Sequence, residues 1–328
     1  MLKRIYKNGM VQTLLAGIGI ISKEQKEFHK RSIVFQFKTK LGHNFTGYYS
    51  KGKETSPRGL VILLHGWEGS SQSSYILKTG LFLQKAGYSV FRLNFIDHGN
   101  TFRDNKTIFH GNLLVEHFEA IEWISSKFSP LAPVSMIGFS LGGNFALRLA
   151  MFNKGKKIPN LKHSIAISPA LNPKKATVSM DQSKLLGRYF RKRWVNSLLN
   201  KESSFPDDYD FSKLSQYKTV MSVTDYVIGK SSDFRDTDHY FSGYIIDLDE
   251  LVRCKTNCHL ITSNDDPVIP IDDFYELQNK INEYNRSHSQ ASLTDLEVLS
   301  FGGHNGFFED SFYEPIYLNR IQSILNKN

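Results

Sequence analysis

PVSMIGFSLGGNFALRLA, at residues 133–150, is the stretch that decides the fold. Its first half is a short apolar run between a proline and a glycine, typical of a buried strand, and its second half is rich in helix-forming residues. Residues 138–142 fit the pattern G-x-S-x-G, in which a serine stands on a tight strand-to-helix turn. Glycines flank that serine because the strand and the helix approach closely. The stretch therefore predicts Ser140 as a nucleophile at the end of a strand.

Apolar runs and helical patterns alternate on both sides of this turn. Continuous apolar runs predict strands buried on both faces, and the segments between them have the composition of helices. The predicted strands are 32–38 and 44–50, paired as a hairpin, then 60–64, 89–95, 164–168, 257–262 and 296–300, and the predicted helices are 74–86, 114–127 and 313–325. This alternation predicts an α/β fold with a mostly parallel central sheet flanked by helices.

Residues 173–253 differ in character from the rest of the chain. They have helical patterns at 184–200 and around 211–217 and little strand pattern. Insertions at strand ends are tolerated and commonly form lids over sites. We therefore expect a single domain over residues 1–328, with a mainly helical cap inserted at 173–253.

Composition and charge limit the classes of partner. The chain has 40% hydrophobic, 13% aromatic and 22% charged residues, the profile of a soluble globular enzyme. A formal charge of +9 and a pI near 9.3 raise the question of an anionic partner. The densest basic cluster, at 188–194, is interpreted mainly as the solvated face of a helix, with contact to anionic lipid head groups as the alternative. No finger, homeodomain-like or RNP pattern supports nucleic acid as a partner.

The two cysteines and the N-terminus bear on localisation. Cys254 and Cys258 form a C-x3-C pair without a nearby histidine cluster, which favours two buried thiols over a zinc site and predicts a reducing, cytoplasmic setting. The apolar run at 10–21 superficially resembles a signal peptide, but Gln12 and Thr13 interrupt it and no A-x-A site follows. It is also too short to span a bilayer. We expect it to pack against the domain, with peripheral membrane anchoring as the alternative.

A serine nucleophile needs a base to take its proton and a carboxylate to orient that base. The predicted strand at 257–262 leads into Asp265 and Asp266, and the strand at 296–300 leads into two glycines and His304. This order, serine then acid then histidine, places each side chain after a strand, as in α/β hydrolases. His304 is therefore the predicted base. Asp266 is the predicted partner, and Asp265 is the alternative, with turn hydrogen bonding as its other possible role.

Two backbone amides are predicted to bind the oxyanion. The Leu141 N–H begins the helix after the serine, where amides have no intrahelical acceptor. The second donor should come from the loop after the first buried strand, and the Trp67 N–H lies in that loop. The neighbouring His65 is interpreted as a hydrogen-bonding residue beneath the loop.

Taken together, these motifs resemble those of α/β hydrolases, and among them the YheT-like branch, also called hydrolase family 4. The matching pieces are Asn8-Gly9-x-x-Gln12-Thr13, His65-Gly66-Trp67-Glu68-Gly69-Ser70, the strand-to-helix turn at 138–144, Asp265-Asp266-Pro267 and Gly302-Gly303-His304. One loop departs from the branch, because 94–100 carries Asp97-His98-Gly99 where relatives usually have an Arg-Gly pair. The resemblance implies Ser140, Asp266 and His304 as catalytic residues, an N-terminal stretch that belongs to the domain, and a carboxylic or lipid ester as substrate.

The expected function is hydrolysis of carboxylic esters of medium or long acyl chain by a Ser-His-Asp triad. The expected partner is a small ester with an apolar acyl group, and no metal or organic cofactor is required. The alternatives are acyl transfer or thioester hydrolysis on the same residues, or a ligand-binding protein that keeps the fold without turnover.

Overall fold

Eight strands form one sheet in the computed structural model, which describes residues 7–53, 57–231, 233–309 and 314–327. Their order across the sheet is β1-β2-β4-β3-β5-β6-β7-β8. Strand β2 is antiparallel to both of its neighbours, and β3 to β8 are parallel to one another. The strands are β1 (Ile33–Lys38), β2 (Asn44–Ser50), β3 (Leu60–Leu64), β4 (Ser89–Leu93), β5 (Val134–Phe139), β6 (Leu161–Ile167), β7 (Asn257–Ser263) and β8 (Thr294–Leu299). The predicted mostly parallel sheet is confirmed.

Twelve α-helices are found in the described ranges. They are α1 (Gly9–Ile18), α2 (Lys23–Lys30), α3 (Ser74–Lys85), α4 (Leu114–Phe128), α5 (Leu141–Phe152), α6 (Pro173–Gln182), α7 (Lys184–Ser204), α8 (Val220–Ile228), α9 (Thr237–Ser242), α10 (Leu248–Val252), α11 (Asp272–Ser287) and α12 (Tyr317–Leu325). Helices α6 to α10, which we call the cap, lie between β6 and β7, and the described part of that segment contains no strand.

Side chains that alternate along the strands build a core on each face of the sheet. In β3, Ile62 and Leu64 belong to one buried cluster, and Val61 and Leu63 belong to the other. The first cluster includes residues of α4, α5 and α11, and the second includes residues of α3 and α12. Because both of its faces are covered, β3 is apolar throughout, which is why a continuous apolar run predicted it.

Some predicted boundaries are wrong. Strand β4 ends at Leu93 instead of residue 95, because the Phe95 amide donates to the His65 ring instead of to a neighbouring strand. The helix predicted around 211–217 is only a 3-10 turn at Leu214–Gln216. Helix α12 begins at Tyr317; residue 313, where its start was predicted, lies outside the described residues.

The N-terminal stretch forms α1 and packs against the domain, as expected. Gln12 and Thr13, which interrupt the apolar run, are buried and bond to the loop that follows β8. Across the described ranges, no helix is both long enough and apolar enough to cross a bilayer.

Candidate active site

Ser140 lies on a strained turn between β5 and α5. Its backbone angles are φ 55° and ψ −118°, a combination that side-chain-bearing residues rarely adopt. Its amide donates to Ile167 O in the adjacent strand at 2.9 Å, which fixes the turn to the sheet. A Cβ at Gly138 would lie 2.0 Å from Gly142 O, and a Cβ at Gly142 would lie 2.4 Å from Leu64 O. The two glycines are therefore required by close backbone approach, as the motif predicted.

His304 and Asp266 are brought together from two loops. His304 Nδ1 lies 2.9 Å from Asp266 Oδ2, and the two side chains are 7% and 0% exposed. The other carboxylate oxygen of Asp266 accepts from the Val268 and Ile269 amides at 2.8 and 3.0 Å. Because a carboxylate only accepts, the Nδ1–H must donate, and the Nε2 lone pair is left for another partner.

Asp265 has a different partner set from Asp266. Its Oδ1 accepts from the Gly302 and Gly303 amides at 2.8 and 2.9 Å, so it holds the loop that carries His304. Of the two adjacent acids, Asp266 contacts the imidazole, and Asp265 has the turn-bonding role that was its alternative.

Ser140 and His304 line the same cavity, whose volume is about 490 Å³. Trp67 and Leu141, the two predicted amide donors, also line it. In the described structure Ser140 and His304 share no hydrogen bond; such contacts are often long in unliganded enzymes and tighten when substrate binds. Four of the five predicted site residues therefore line this cavity, and the fifth, Asp266, contacts His304.

The loop after β3 is held from below by His65. Its Nε2 accepts from the Phe95 amide at 3.1 Å, and its Nδ1–H donates to Gly66 O at 2.8 Å. Burial lowers the pKa of His65 well below its ordinary value, so the ring stays neutral and can make both bonds. In the same loop the Gly66 amide donates to the Tyr75 hydroxyl at 2.9 Å, whereas the Trp67 amide donates to no other described residue. His65 thus has the structural role that the sequence indicated.

The basic cluster at 188–194 is not simply a solvated helix face. Arg193 donates to Glu68 O, in the loop after β3, and Arg191 donates to Tyr217 O at 2.6 Å. Phe190 stacks on the Trp67 ring at 5.9 Å between centroids. Residues 188, 189, 192 and 193 are exposed, as a solvated face requires, whereas residues 190, 191 and 194 are partly buried.

Two buried charged groups near the cavity were missed. Lys201 of α7 pairs with Asp97 at 2.8 Å and also donates to Thr107 O. Glu68 accepts from the Ser197 hydroxyl at 2.6 Å, and burial raises its pKa to about 7. Both groups fasten α7 to the loops at the carboxyl end of the sheet. Asp97 and Lys201 are 104 residues apart, and no sequence pattern pairs them.

The cavity walls are mostly apolar. They are formed by α1, by the loops at the carboxyl end of the sheet, and by the cap, whose contributions include Met180, Leu186, Phe190, Val220 and Phe241. Among the described residues, no group of three or more His, Cys, Asp or Glu side chains could hold a metal ion. Cys254 and Cys258 are buried free thiols.

Sequence comparison assigns the chain to a known family. The model of the family described as serine aminopeptidase, S33 (Hydrolase_4), matches residues 55–284. The chain belongs to this α/β-hydrolase family. The predicted superfamily is thereby confirmed, and the YheT-like branch is consistent with the match. No curated protein sequence matches the chain.

Solved structures of other hydrolases share the family's fold. The chain is similar to the esterase Pf2001 of Pyrococcus furiosus, with 17% identity, 94% of each chain covered and a TM-score of 0.61. It is also similar to 2,6-dihydroxy-pseudo-oxynicotine hydrolase, with 15% identity, 90% and 67% covered and a TM-score of 0.57. Est1E from Butyrivibrio proteoclasticus gives 13% identity, 90% and 96% covered and a TM-score of 0.52. At these identities the likeness establishes the fold.

Proposed function

We propose that the protein is a serine hydrolase that cleaves carboxylic esters. The observation that carries the proposal is the buried His304–Asp266 contact at 2.9 Å, whose histidine lines the same cavity as Ser140. Ser140 Oγ attacks the acyl carbon while His304 Nε2 takes its proton. The C–O bond to the alcohol then breaks, and the proton passes from His304 to the departing alkoxide. Water, deprotonated by the same nitrogen, attacks the acyl-enzyme and releases the acid and Ser140.

Asp266 acts on this reaction through the imidazole. By accepting from Nδ1–H it fixes the tautomer in which Nε2 is the base, and its negative charge stabilises the imidazolium that forms. Two backbone amides hold the carboxylate in place, so it is preorganised before substrate binds.

The Trp67 and Leu141 amides are the proposed oxyanion donors. Trp67 N–H has no described acceptor, and Leu141 N–H lies at the first turn of α5, where the helix dipole favours negative charge. Removing one such donor typically costs about 2.7 to 4 kcal/mol of barrier.

The walls of the cavity support an apolar acyl group of medium or long chain. Aromatic and aliphatic side chains from α1 and the cap dominate the lining, and a cavity of about 490 Å³ is in the range of small-molecule sites. Thioester hydrolysis and acyl transfer to an alcohol would proceed through the same acyl-enzyme as ester hydrolysis, because all three reactions begin by acylating the serine.

Ester cleavage is favoured over removal of an amino-terminal residue by the charge of the cavity. An aminopeptidase needs carboxylates that bind the free α-ammonium group of its substrate. Among the described residues that line the cavity, Glu68 is the only acidic one. Burial raises its pKa to about 7, which weakens its negative charge at neutral pH, and it already accepts from the Ser197 hydroxyl.

The proposal is tested by active-site labelling. A fluorophosphonate probe should label the wild-type protein and a Ser126→Ala control, whose serine lies exposed on α4, and should not label Ser140→Ala. Labelling that survives Ser140→Ala would remove Ser140 from the mechanism.

The substrate class is tested with p-nitrophenyl esters from acetyl to palmitoyl, a matched thioester and an aminoacyl p-nitroanilide. We expect kcat/KM to rise from acetyl to medium or long chains, with the anilide turned over most slowly. A preference for acetyl would contradict the apolar acyl assignment, and faster turnover of the anilide would favour the peptidase.

We also propose that the mouth of the cavity contacts an anionic lipid surface. Ile18 and Ile20, at and just after the end of α1, are 77% and 76% exposed, and Ile18 and the exposed Leu185 of α7 both line the cavity. The net charge of +9 favours an anionic surface. Wild-type protein should float with phosphatidylserine vesicles at low salt, and an Ile18→Ser/Ile20→Ser variant should not. Failure of the wild-type protein to float would refute the contact.

A further inference from the structure

Helix α1 bonds directly to the residue that carries the proposed base. The Thr13 hydroxyl oxygen accepts from the His304 amide at 2.8 Å, and its proton is donated to Gly9 O one turn back in the helix, at 2.6 Å. Both groups are buried. The hydroxyl therefore has a fixed orientation, with its acceptor side aimed at His304.

A second side chain of α1 holds the far end of the same loop. The Gln12 amide bridges Phe308, accepting from its N–H at 2.8 Å and donating to its carbonyl at 2.9 Å. Gln12 is 1% exposed, so this bridge is shielded from water. Adjacent residues of one helix thus bond both to His304 and to the loop four residues later.

The loop that carries His304 needs such external partners. Asn305 and Phe307 have φ values of 64° and 54°, a region that side-chain-bearing residues avoid at a cost of about 1–3 kcal/mol each. Two amides of the loop, at residues 306 and 307, donate to the carbonyl of residue 302, and other amides of the loop donate to Asp265, Thr13 and Gln12. Without these bonds, the strained loop would lower its free energy by changing conformation.

Helix α1 also approaches the acid loop at backbone distance. A Cβ at Gly9 would lie 1.8 Å from Asp265 O, so only glycine allows the helix to sit there. The helix therefore contacts the loops of both members of the His304–Asp266 pair. The same helix lines the cavity through Thr13 itself and through Leu14, Gly17 and Ile18.

We infer that Thr13 is a positioning residue for His304, and that α1 sets the geometry of the His304–Asp266 pair against Ser140. The inference rests on the proposed function and deepens it. A displacement of the loop by about 1 Å can cost on the order of 100-fold in rate without abolishing binding. The contribution of Thr13 should therefore be found in kcat more than in KM.

The test compares two substitutions at position 13. Thr13→Val keeps the shape but removes the acceptor, whereas Thr13→Ser keeps it. We expect Thr13→Val to lower kcat by about 10- to 100-fold with KM within about twofold, and Thr13→Ser to stay within about threefold of wild type. The rate of fluorophosphonate labelling at Ser140 should fall in parallel with kcat.

A matched control separates positioning from general loss of a buried hydroxyl. Ser125 of α4 is buried and back-bonds to Ile121 O at 2.7 Å, but it lies away from the site. Ser125→Ala should lower the thermal midpoint without lowering kcat. Equal kcat for Thr13→Val and wild type, or equal loss for Thr13→Val and Thr13→Ser, would overturn the inference.

A measurement independent of turnover keeps the inference testable if the proposed function fails. The His304 Nδ1 proton bonded to Asp266 should give a downfield NMR resonance that is absent from Asp266→Asn. We expect that resonance in wild type and Thr13→Ser, and its loss or broadening in Thr13→Val. A wild-type protein that does not label at Ser140 refutes the hydrolase, whereas an unchanged resonance in Thr13→Val refutes the positioning role.

Discussion

Two aspartate–histidine pairs lie at opposite ends of the same two strands. His304 and Asp266 follow the carboxyl ends of β8 and β7, and their closest atoms are 2.9 Å apart. His259 and Asp295 lie near the amino ends of β7 and β8, and the same atom types are also 2.9 Å apart. Distance alone therefore does not distinguish the proposed catalytic pair from the other.

The surroundings distinguish them. Asp266 is fully buried and held by two amides, whereas the Asp295 side chain is 60% exposed. His259 Nε2 is occupied by His163 Nδ1 at 3.1 Å, and His259 does not line the cavity. At the carboxyl end, His304 faces the cavity that Ser140 also lines. An Asp–His pair thus becomes a candidate for catalysis only where a preorganised carboxylate and a nucleophile share a cavity with it.

The largest expected difference comes from neutralising each carboxylate. Asp266→Asn should lower kcat by about 10⁴-fold, because an amide cannot hold the imidazole in the basic tautomer. Asp295→Asn should leave kcat within about twofold of wild type. Steady-state kinetics on the best ester measures both, with circular dichroism to verify folding. A similar loss of kcat in the two variants would show that the two aspartate–histidine pairs do not differ in their effect on catalysis.

A smaller effect is expected from loosening the loop that carries His304 without substituting either member of the proposed catalytic pair. Asp265→Ala removes the acceptor of the Gly302 and Gly303 amides and should lower the free energy of unfolding by about 1–3 kcal/mol. Asp265→Asn keeps an oxygen at that position and should lose less. Urea denaturation measures the difference, and equal stability of the alanine and asparagine variants would contradict the role of Asp265.

The smallest expected effect is on how the stability of the protein depends on pH, through the histidines near the amino ends of the strands. Burial, followed by the neighbouring His259, lowers the pKa of His163 from 6.5 to about 4. The folded state then binds fewer protons than the unfolded state between these two pH values. The contribution of His163 to the free energy of unfolding is therefore full above pH 6.5 and is lost as pH falls toward 4. His163→Gln should reduce the loss of stability over that window by on the order of 1 kcal/mol, or ~2 °C in Tm. Thermal melts of both proteins at pH 7 and pH 4 give the comparison.

The wild-type protein also has other buried histidines that titrate in the same direction, and these are common to both proteins. An identical pH dependence for His163→Gln and wild type would show that this end of the sheet contributes nothing to acid sensitivity. Ester hydrolysis at pH 7 to 8 should be the same in both.

Much of the fold follows from the sequence because buried strands carry their own signal. Leu60 to Leu64 are apolar on both faces, and the glycines around Ser140 report a close approach of backbone that the structure contains. The end of β4 could not be predicted, because the partner of the Phe95 amide is the His65 ring, which lies in the loop after β3.

The order of Ser140, Asp266 and His304 along the chain predicted that they lie at one edge of the sheet, since carboxyl ends of parallel strands share one edge. His304 contacts Asp266 there and lines the same cavity as Ser140. What could not be predicted depends on contacts across long separations. Lys201 and Asp97 look like ordinary surface charges in sequence, and they pair only because α7 docks on the loop after β4. Gln12 and Thr13 did give a signal, as two polar residues within an apolar run, but their partners lie almost 300 residues away.

The bond between Thr13 and His304 spans 291 positions of the chain. During synthesis, α1 leaves the ribosome long before the loop that it will hold, because chains emerge at about 5–20 residues per second. A nascent chain can assemble most of its sheet before this contact forms. The proposed hydrolytic activity should therefore arise only after the loop that carries His304 has emerged, and a probe should not label Ser140 in nascent chains that end before that loop.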